Sequence, residues 1–522
     1  MAPARRSTRT SSAGPVAAPE AAPAGYPLTH PATGEAVTVV HMAAELAPFA
    51  RTGGLGEAVS SLAHFQARAG LRVVIMFPLY RQAKEVVTDL EPIGEGFPVI
   101  VGPRTEQAQL FESRALRSNP EQGKPRIIFV DNPTYFDREQ IYGDSHGDYA
   151  DNHRRFAFFS LAVLNSLPQV AKAPVLLHAH DWHMALAPIY LRVYQDGRDY
   201  YRRMSTVLTV HNAGYQGHFP PEVLADVGLP FEIYNYQQLE WYNRVNFLKG
   251  GMSFADAVTT VSPSHAHELR TPAGGFGLHD HFISLRDRFV GIVNGIDQQE
   301  WDPETDPFIT ARYSRDDLSG KKKCKAALQR IFGLPQRARV PIFGMSARMV
   351  YQKGLDLILG SPRFLSLDAQ FLFLGQGERR YVEILTELAL RAPGRIGVQT
   401  NFTSKQEHRL LAGADLLVMP SQYEPCGLTQ MRAQRYGALP VARRVGGLAD
   451  TIEDGITGFL FDAFTMNDFL SAAIRAIDHY NHPVTFQAMQ REAMSREFGW
   501  ERSASRYLDL YRRVLRSPRF EH

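Results

Sequence analysis

Short apolar runs bounded by turn residues alternate with stretches of helical periodicity between residue 36 and about residue 290. VTVVHMA, LRVVIMF, RIIFVDN, VLLHAHD, MSTVLTVHN and DAVTTVS are each strand-sized and nearly continuous in apolar character. Continuous runs of that length suit strands covered on both faces, and the helical stretches between them suit crossover connections. The pattern therefore predicts parallel sheets flanked by helices. A second series follows GIVNGIDQQEWDPETDP and the basic stretch KKKCKAAL, with VPIFGMSA, AQFLFLG, RIGVQT, DLLVMPS and ALPVARR as its strands. The reading is two doubly wound, Rossmann-like α/β domains facing a cleft, at 36–295 and 296–495. A helical segment at 496–522 is expected to pack back on the first domain. No short-period repeat is present.

Size is consistent with this division, since 522 residues, 44% of them hydrophobic, suffice for two cores. The first 35 residues, rich in Ala, Pro, Ser and Arg and without apolar periodicity, are expected to be a disordered tail. An Arg-rich, acid-poor start also fits an organelle transit peptide, which would place the protein in a plastid rather than the cytoplasm. With 57 basic and 54 acidic residues the net charge is +3, far from the basic density of a nucleic-acid-binding protein. Cys324 and Cys426 form neither a disulfide framework nor a metal-ligand spacing, and they point to a reducing compartment. No run reaches the roughly 18 apolar residues of a membrane span, so no membrane partner is expected.

In open parallel sheets, ligands gather at the carboxyl ends of the strands. Six polar or glycine-rich loops sit at those predicted ends: ARTGGLGE, HAHDWHMA, TVHNAGYQG, SARMVYQKGLD, LGQGE and MPSQYEPCGLTQ. Gly53 and Gly54 either form a tight turn or let backbone amides and a helix start approach a phosphate. Arg348 and Lys353 are either a solvated face or a two-cation clamp for a diphosphate. His178 and His180 share one side of a strand, but no further cluster supplies a second ligand set, so with His183 they read as a hydrogen-bonding rim rather than a metal site. Glu424 precedes a glycine that opens a helix, where a carboxylate receives sugar hydroxyls or faces a developing positive centre while the amides of Gly427 and Leu428 face a ligand.

The block EPCGLTQ followed by RYGALPVARRVGGLADT closely resembles bacterial glycogen synthases and plant starch synthases. So do FDREQIYGDSHGDYADNHRRFAFFS, HAHDWHMALAPIYL, TVHNAGYQG, NFLKGGMSFADAVTTVSPSHAHEL and GIVNGIDQQEWDP, in colinear order from about residue 36 to about residue 510. The resemblance implies a retaining glucosyltransferase of the two-domain B-type (GT-B) fold, with the acceptor on the first domain and the nucleotide sugar on the second. It implies transfer of glucose from ADP-glucose to the non-reducing end of an α-1,4-glucan, with no metal and no cofactor beyond the co-substrate. It assigns Arg348 and Lys353 to the diphosphate, His183 and Glu424 to the glucose site, and Asp151 and Asn246 to donor or acceptor sugar. Phe402 falls where the family stacks an aromatic ring on adenine, and Cys426, Gly427, Leu428 and Thr429 fall in the substrate-binding EPCGLT turn.

Three positions depart from the family pattern. Arg51 stands where Lys is usual, Glu57 where Asp is usual, and Val445 where Thr is often found. Arg51, Gly53, Gly54 and Glu57 are nevertheless expected to form the glycine loop that closes over the donor. The two charged changes keep the sign but alter reach and shape. A donor shifted to UDP-glucose, a small-sugar acceptor and a weakly active glucan-binding paralogue are the alternatives to the ADP-glucose enzyme.

Overall fold

The structure, a computed structural model, describes residues 28–117, 123–194 and 199–516. Its first sheet has nine strands: β1 (Thr38–Met42), β2 (Arg72–Pro78), β3 (Leu90–Val101), β4 (Arg104–Ser113), β5 (Arg126–Asp131), β6 (Val175–His180), β7 (Met204–Val210), β8 (Ala257–Thr260) and β9 (Phe289–Gly291). Their order is β9-β8-β7-β6-β1-β2-β5-β4-β3. Every residue of β1, β6 and β7 is buried, which is why those strands read as unbroken apolar runs. The second sheet has β10 (Ile342–Ser346), β11 (Gln370–Leu374), β12 (Ile396–Gln399), β13 (Leu416–Met419), β14 (Leu439–Arg443) and β15 (Phe459–Phe461), in the order β12-β11-β10-β13-β14-β15. All its pairings are parallel.

Two features lie outside the sequence expectation. β3 and β4 form an antiparallel hairpin on the edge of the first sheet, joined antiparallel to β5. Glu, Gly and Pro dilute their apolar residues because much of β3 faces solvent, so no continuous run marks it. The assignment of residues 1–35 to a disordered tail falls partly outside the described residues, as does the transit-peptide reading. Where it falls within them it is corrected. Leu28 is buried in the first core, Thr29 bridges Ala36, and Arg203 pairs with Glu35. A single apolar anchor has no periodicity to reveal it.

Eight helices position the site. The first domain supplies α1 (Gly54–Arg68), α2 (Asn152–Val170), α3 (Asp181–Met184) and α4 (Phe247–Phe254), and the second α5 (Ser404–Gly413), α6 (Thr429–Arg435) and α7 (Gly446–Thr451). The last, α8 (Trp500–Arg516), lies against α1 and puts Tyr507 and Tyr511 into the core of the first domain. The chain therefore crosses between domains twice, and the crossings run side by side. Ile296 N–H donates to the carbonyl of Phe498 at 2.8 Å, and Ser503 Oγ donates to the carbonyl of Val293. Among the described residues no helix is long and apolar enough to cross a membrane.

Candidate active site

The loop between β1 and α1 is organised by Glu45, a residue the sequence reading did not single out. Its buried carboxylate accepts from Thr52 N–H at 2.8 Å, Gly53 N–H at 3.1 Å, Thr52 Oγ1 at 2.7 Å and Tyr142 Oη at 2.8 Å. One amide of the glycine pair is thus committed to a carboxylate rather than left for an anion. Gly54 begins α1, and Glu57 lies in its first turn, where the helix dipole favours a negative charge. Gly56 lies in close packing, where a Cβ would stand 3.1 Å from Arg51 Cβ and 3.2 Å from Leu46 N and its neighbours would have to give by a few tenths of an ångström.

Tyr142 carries the loop to His183. The two rings stack with centroids 4.6 Å apart, and Phe156 closes the other flank at 4.8 Å. His183 is buried, and among the described residues its Nδ1 has no hydrogen-bond partner. Burial pushes its ring pKa down to about 3, with Arg155 acting in the same direction. His183 is therefore neutral at any ordinary working pH. Asp181, at the start of the same short helix, has a φ of 59° and accepts from the backbone N–H groups of His211 and Asn212 at 2.6 and 3.3 Å. Burial pushes its carboxyl up to about 7 against those two bonds.

His178 and His180 do not form a rim. They lie inside the first domain with His41, and one ring nitrogen from each falls within 4.8 Å of the others. His41 Nδ1 lies 3.0 Å from His180 Nε2, and His41 Nε2 lies 2.8 Å from Gln66 Oε1. His178 bonds Tyr511 Oη at 2.8 Å and Thr209 Oγ1 at 2.6 Å, while His180 Nδ1 lies 3.0 Å from His211 Nε2. Protein groups take all six of these ring nitrogens, so the cluster is a buried network tying α1, β1, β6, β7 and α8 together.

In the second domain the loops after β10 and β13 are stitched to each other. Gln422 N–H donates to Gln352 O at 2.8 Å, and Gln352 Nε2 donates to Tyr423 O at 3.1 Å. Gly354, at φ 73°, makes this approach possible, since a Cβ there would lie 1.9 Å from Pro420 O. The result places Lys353 Nζ 2.6 Å from Glu424 Oε2, which also accepts from Ser421 Oγ at 3.0 Å. Arg348 is exposed on the first of these loops, and Phe402 is exposed just before α5. Gly427 has a φ of 70°, Leu428 caps α6, and Thr429 Oγ1 lies 3.5 Å from Glu407 Oε1.

Two assigned side chains face elsewhere. The Cys426 thiol is buried in an apolar cluster with Val261, Ile296 and Met431, and burial pushes it up to about 12. Any contact it makes with a ligand is through its backbone. Asn246 is fully buried and both ends of its amide are engaged, Oδ1 accepting from Lys249 N–H at 2.9 Å and Nδ2 donating to Gln216 Oε1 at 2.6 Å. It caps α4, and its assignment to a sugar contact is corrected accordingly. Asp151 is partly exposed beside α2 and takes both forks of Arg138 at 2.7 and 2.6 Å. Burial raises its carboxyl, but the hydrogen bonds and charge of Arg138 outweigh this and hold it below the usual range.

The two halves meet across the cleft. A Cβ on Gly54 would lie 3.9 Å from Leu428 Cδ1, so the glycine loop faces the EPCGLT turn. Glu57 is paired with Arg51 of its own loop and with Arg432 of α6. Gly446 N–H donates to Glu268 Oε1 at 2.7 Å, and Tyr423 packs edge-on against Phe276.

Residues 38–284 match the starch synthase catalytic domain, and residues 330–492 match the glycosyl transferases group 1 domain. The glycogen synthase of Thermodesulfovibrio yellowstonii is 39% identical over 91% of this chain and 97% of its own length. The chain belongs to the glycogen synthase family. A second member, from Anaeromyxobacter dehalogenans, is 40% identical over 91% of this chain and 99% of its own. The catalytic domain of starch synthase IV from Arabidopsis thaliana, bound to ADP and acarbose, superposes with a TM-score of 0.82 at 33% identity, covering 92% of this chain and 99% of that one. This glycogen synthase family member is thus a glycosyltransferase with the GT-B fold, two Rossmann-like domains facing a cleft.

Proposed function

We propose that the protein transfers glucose from ADP-glucose to the non-reducing 4-hydroxyl of an α-1,4-glucan with retention of configuration, and does so without a metal. The observation that carries this reading is the Lys353–Glu424 pair at 2.6 Å: Lys353 shares its loop with exposed Arg348, and the EPCGLT turn that carries Glu424 meets the glycine loop through Leu428 and Gly54. The demanding events in glycosyl transfer are departure of an anionic diphosphate and formation of an oxocarbenium-like centre. Arg348 and Lys353 supply fixed positive charge for the first. When the diphosphate draws Lys353 away, Glu424 is released to receive sugar hydroxyls. His183 lines the sugar as a neutral ring, which adds no repulsion to a developing cation. Closure of the two domains excludes the water that would otherwise hydrolyse the donor.

The names of the related proteins support a glucan acceptor, and the ADP held by the Arabidopsis domain supports an adenine nucleotide donor, with exposed Phe402 available to stack on the base. The test is incubation with glycogen and either ADP-glucose or UDP-glucose, measuring nucleotide release and incorporated glucose. Incorporation from ADP-glucose well above that from UDP-glucose is expected. Faster incorporation from UDP-glucose overturns the donor assignment, and no incorporation from either overturns the transferase reading.

A further inference from the structure

We propose that Arg432 is a positioning residue that makes the donor-binding charge at Arg51 depend on domain closure. This rests on the glucosyl-transfer reading only for the ligand that Arg51 meets.

Arg432 lies on α6 of the second domain, and little of its side chain is exposed. Its guanidinium carbon stands 4.1 Å over the Trp301 ring, and Nη1 reaches Glu407 Oε2 at 3.4 Å. Trp301 is itself stacked on His408 at 3.9 Å, and His408 Nδ1 is held 2.8 Å from Asp306 Oδ2. Every one of these groups belongs to the second domain or to the segment leading into it. The fork of Arg432 is therefore set before the other domain arrives, and little side-chain entropy is lost when a partner docks.

The partner is Glu57. Its carboxylate accepts from Arg432 through one oxygen and from Arg51 through the other. Four charges thus form a chain, Arg51, Glu57, Arg432 and Glu407, that alternates in sign and crosses the cleft once. When the domains separate, the chain breaks between Glu57 and Arg432. Glu57 is then left to neutralise Arg51 alone, and Glu407 to neutralise Arg432. When they close, Arg432 takes a share of the Glu57 carboxylate, and the fork of Arg51 regains attraction for a diphosphate. A diphosphate that draws Arg51 toward itself in turn leaves Glu57 more fully to Arg432, so donor binding and closure strengthen each other. Other polar contacts between the domains, among them Ser264 with Asp450, Glu268 with Gly446 and Tyr423 with Asn212, touch no part of the glycine loop.

The test compares the full chain with Arg432→Met, Arg432→Lys and Glu57→Gln. In Arg432→Met the KM for ADP-glucose is expected to rise about tenfold with a smaller change in kcat. The ratio of donor hydrolysis to glucosyl transfer should rise several-fold, and the decrease in radius of gyration that ADP causes in the parent should be lost. Arg432→Lys, which keeps the charge, should recover part of the KM. Glu57→Gln, a shape-preserving change at a partly exposed position, carries the test if Arg432→Met does not fold, and it should show the same loss of ADP-dependent compaction. Parent KM, parent hydrolysis ratio and parent compaction in the Arg432 and Glu57 variants overturn the inference, as does a parent that does not compact with ADP. A parent that turns over neither sugar nucleotide instead overturns the transferase reading, and the scattering arm, which needs only ADP, still decides the coupling.

Discussion

Arg51 and Glu57, the two positions at which the family resemblance leads one to expect Lys and Asp, are ion-paired with each other. The longer carboxylate arm lets Glu57 hold Arg51 on its own loop while its second oxygen reaches Arg432 on the other domain. The two departures are therefore physically linked.

A double-mutant cycle measures that link. Arg51→Lys alone is expected to gain little or to lose activity, because an ammonium lacks the planar geometry with which the guanidinium meets Glu57. Glu57→Asp alone shortens the arm by one methylene and should weaken the reach to Arg432. Combined, the changes are expected to recover activity beyond the sum of the single effects, with a coupling of about 0.5–3 kcal/mol on kcat/KM. Strict additivity would show that the two positions act independently.

For the cationic loop, Lys353→Ala and Arg348→Ala are each expected to lower kcat by a few hundredfold, about 3 kcal/mol of lost transition-state stabilisation, with the fold intact. Steady-state kinetics with ADP-glucose, together with circular dichroism to verify folding, checks this. Near-parent turnover in either variant removes that residue from the site.

Phe402 is exposed, so truncating it exposes no core. Phe402→Ala is expected to raise the KM for ADP-glucose by roughly 3- to 10-fold, the size of one aromatic stacking contact, with kcat nearly unchanged. An unaltered KM places the adenine elsewhere.

Stability should fall in mild acid. Burial holds His41 at about 4 and His183 and His211 at about 3, while the unfolded chain titrates near the ordinary histidine value. Below that value the unfolded state binds protons that the folded state refuses, so stability declines as pH drops from about 6.5 to about 4, by up to roughly 1.4 kcal/mol per pH unit per ring. Asp181, raised to about 7, works in the opposite sense but stands against these three rings and against His178 and His180, which burial lowers as well. Urea midpoints at pH 7 and pH 5 should differ clearly, and His41→Gln should reduce the slope. Equal midpoints contradict the assignment of these rings as buried and neutral.

Leu28 anchors the start of the described chain in the first core. Removing residues 1–35 is expected to cost about 1.5–3 kcal/mol, the value of burying one leucine side chain. Leu28→Ala in the full chain should reproduce much of that loss in a thermal melt. Unchanged melting temperatures in both refute the anchor.

Much of the architecture was legible because it is written locally. A strand covered on both faces must be apolar along its whole length, as VTVVHM is, and the loops that end such strands must carry the polar groups. RTGGLGE, ARMVYQK and EPCGLT could therefore be found by position before any contact was known. The β3–β4 hairpin escaped because half of it is wetted and its pattern is broken.

The amino-acid sequence by itself determined the two parallel-sheet domains, the loops at their carboxyl edges and the family to which those loops belong. The tertiary structure alone decided which groups in those loops meet. Glu45 finds Tyr142 at a separation of 97 residues, and Glu57 finds Arg432 at 375. It also decided that Asn246 caps a helix and that His178 and His180 turn into a core network rather than a rim. Apolar periodicity is a property of neighbours along the chain. The pairing of a carboxylate with a guanidinium depends on strand order and on how two domains close, and no local pattern records either.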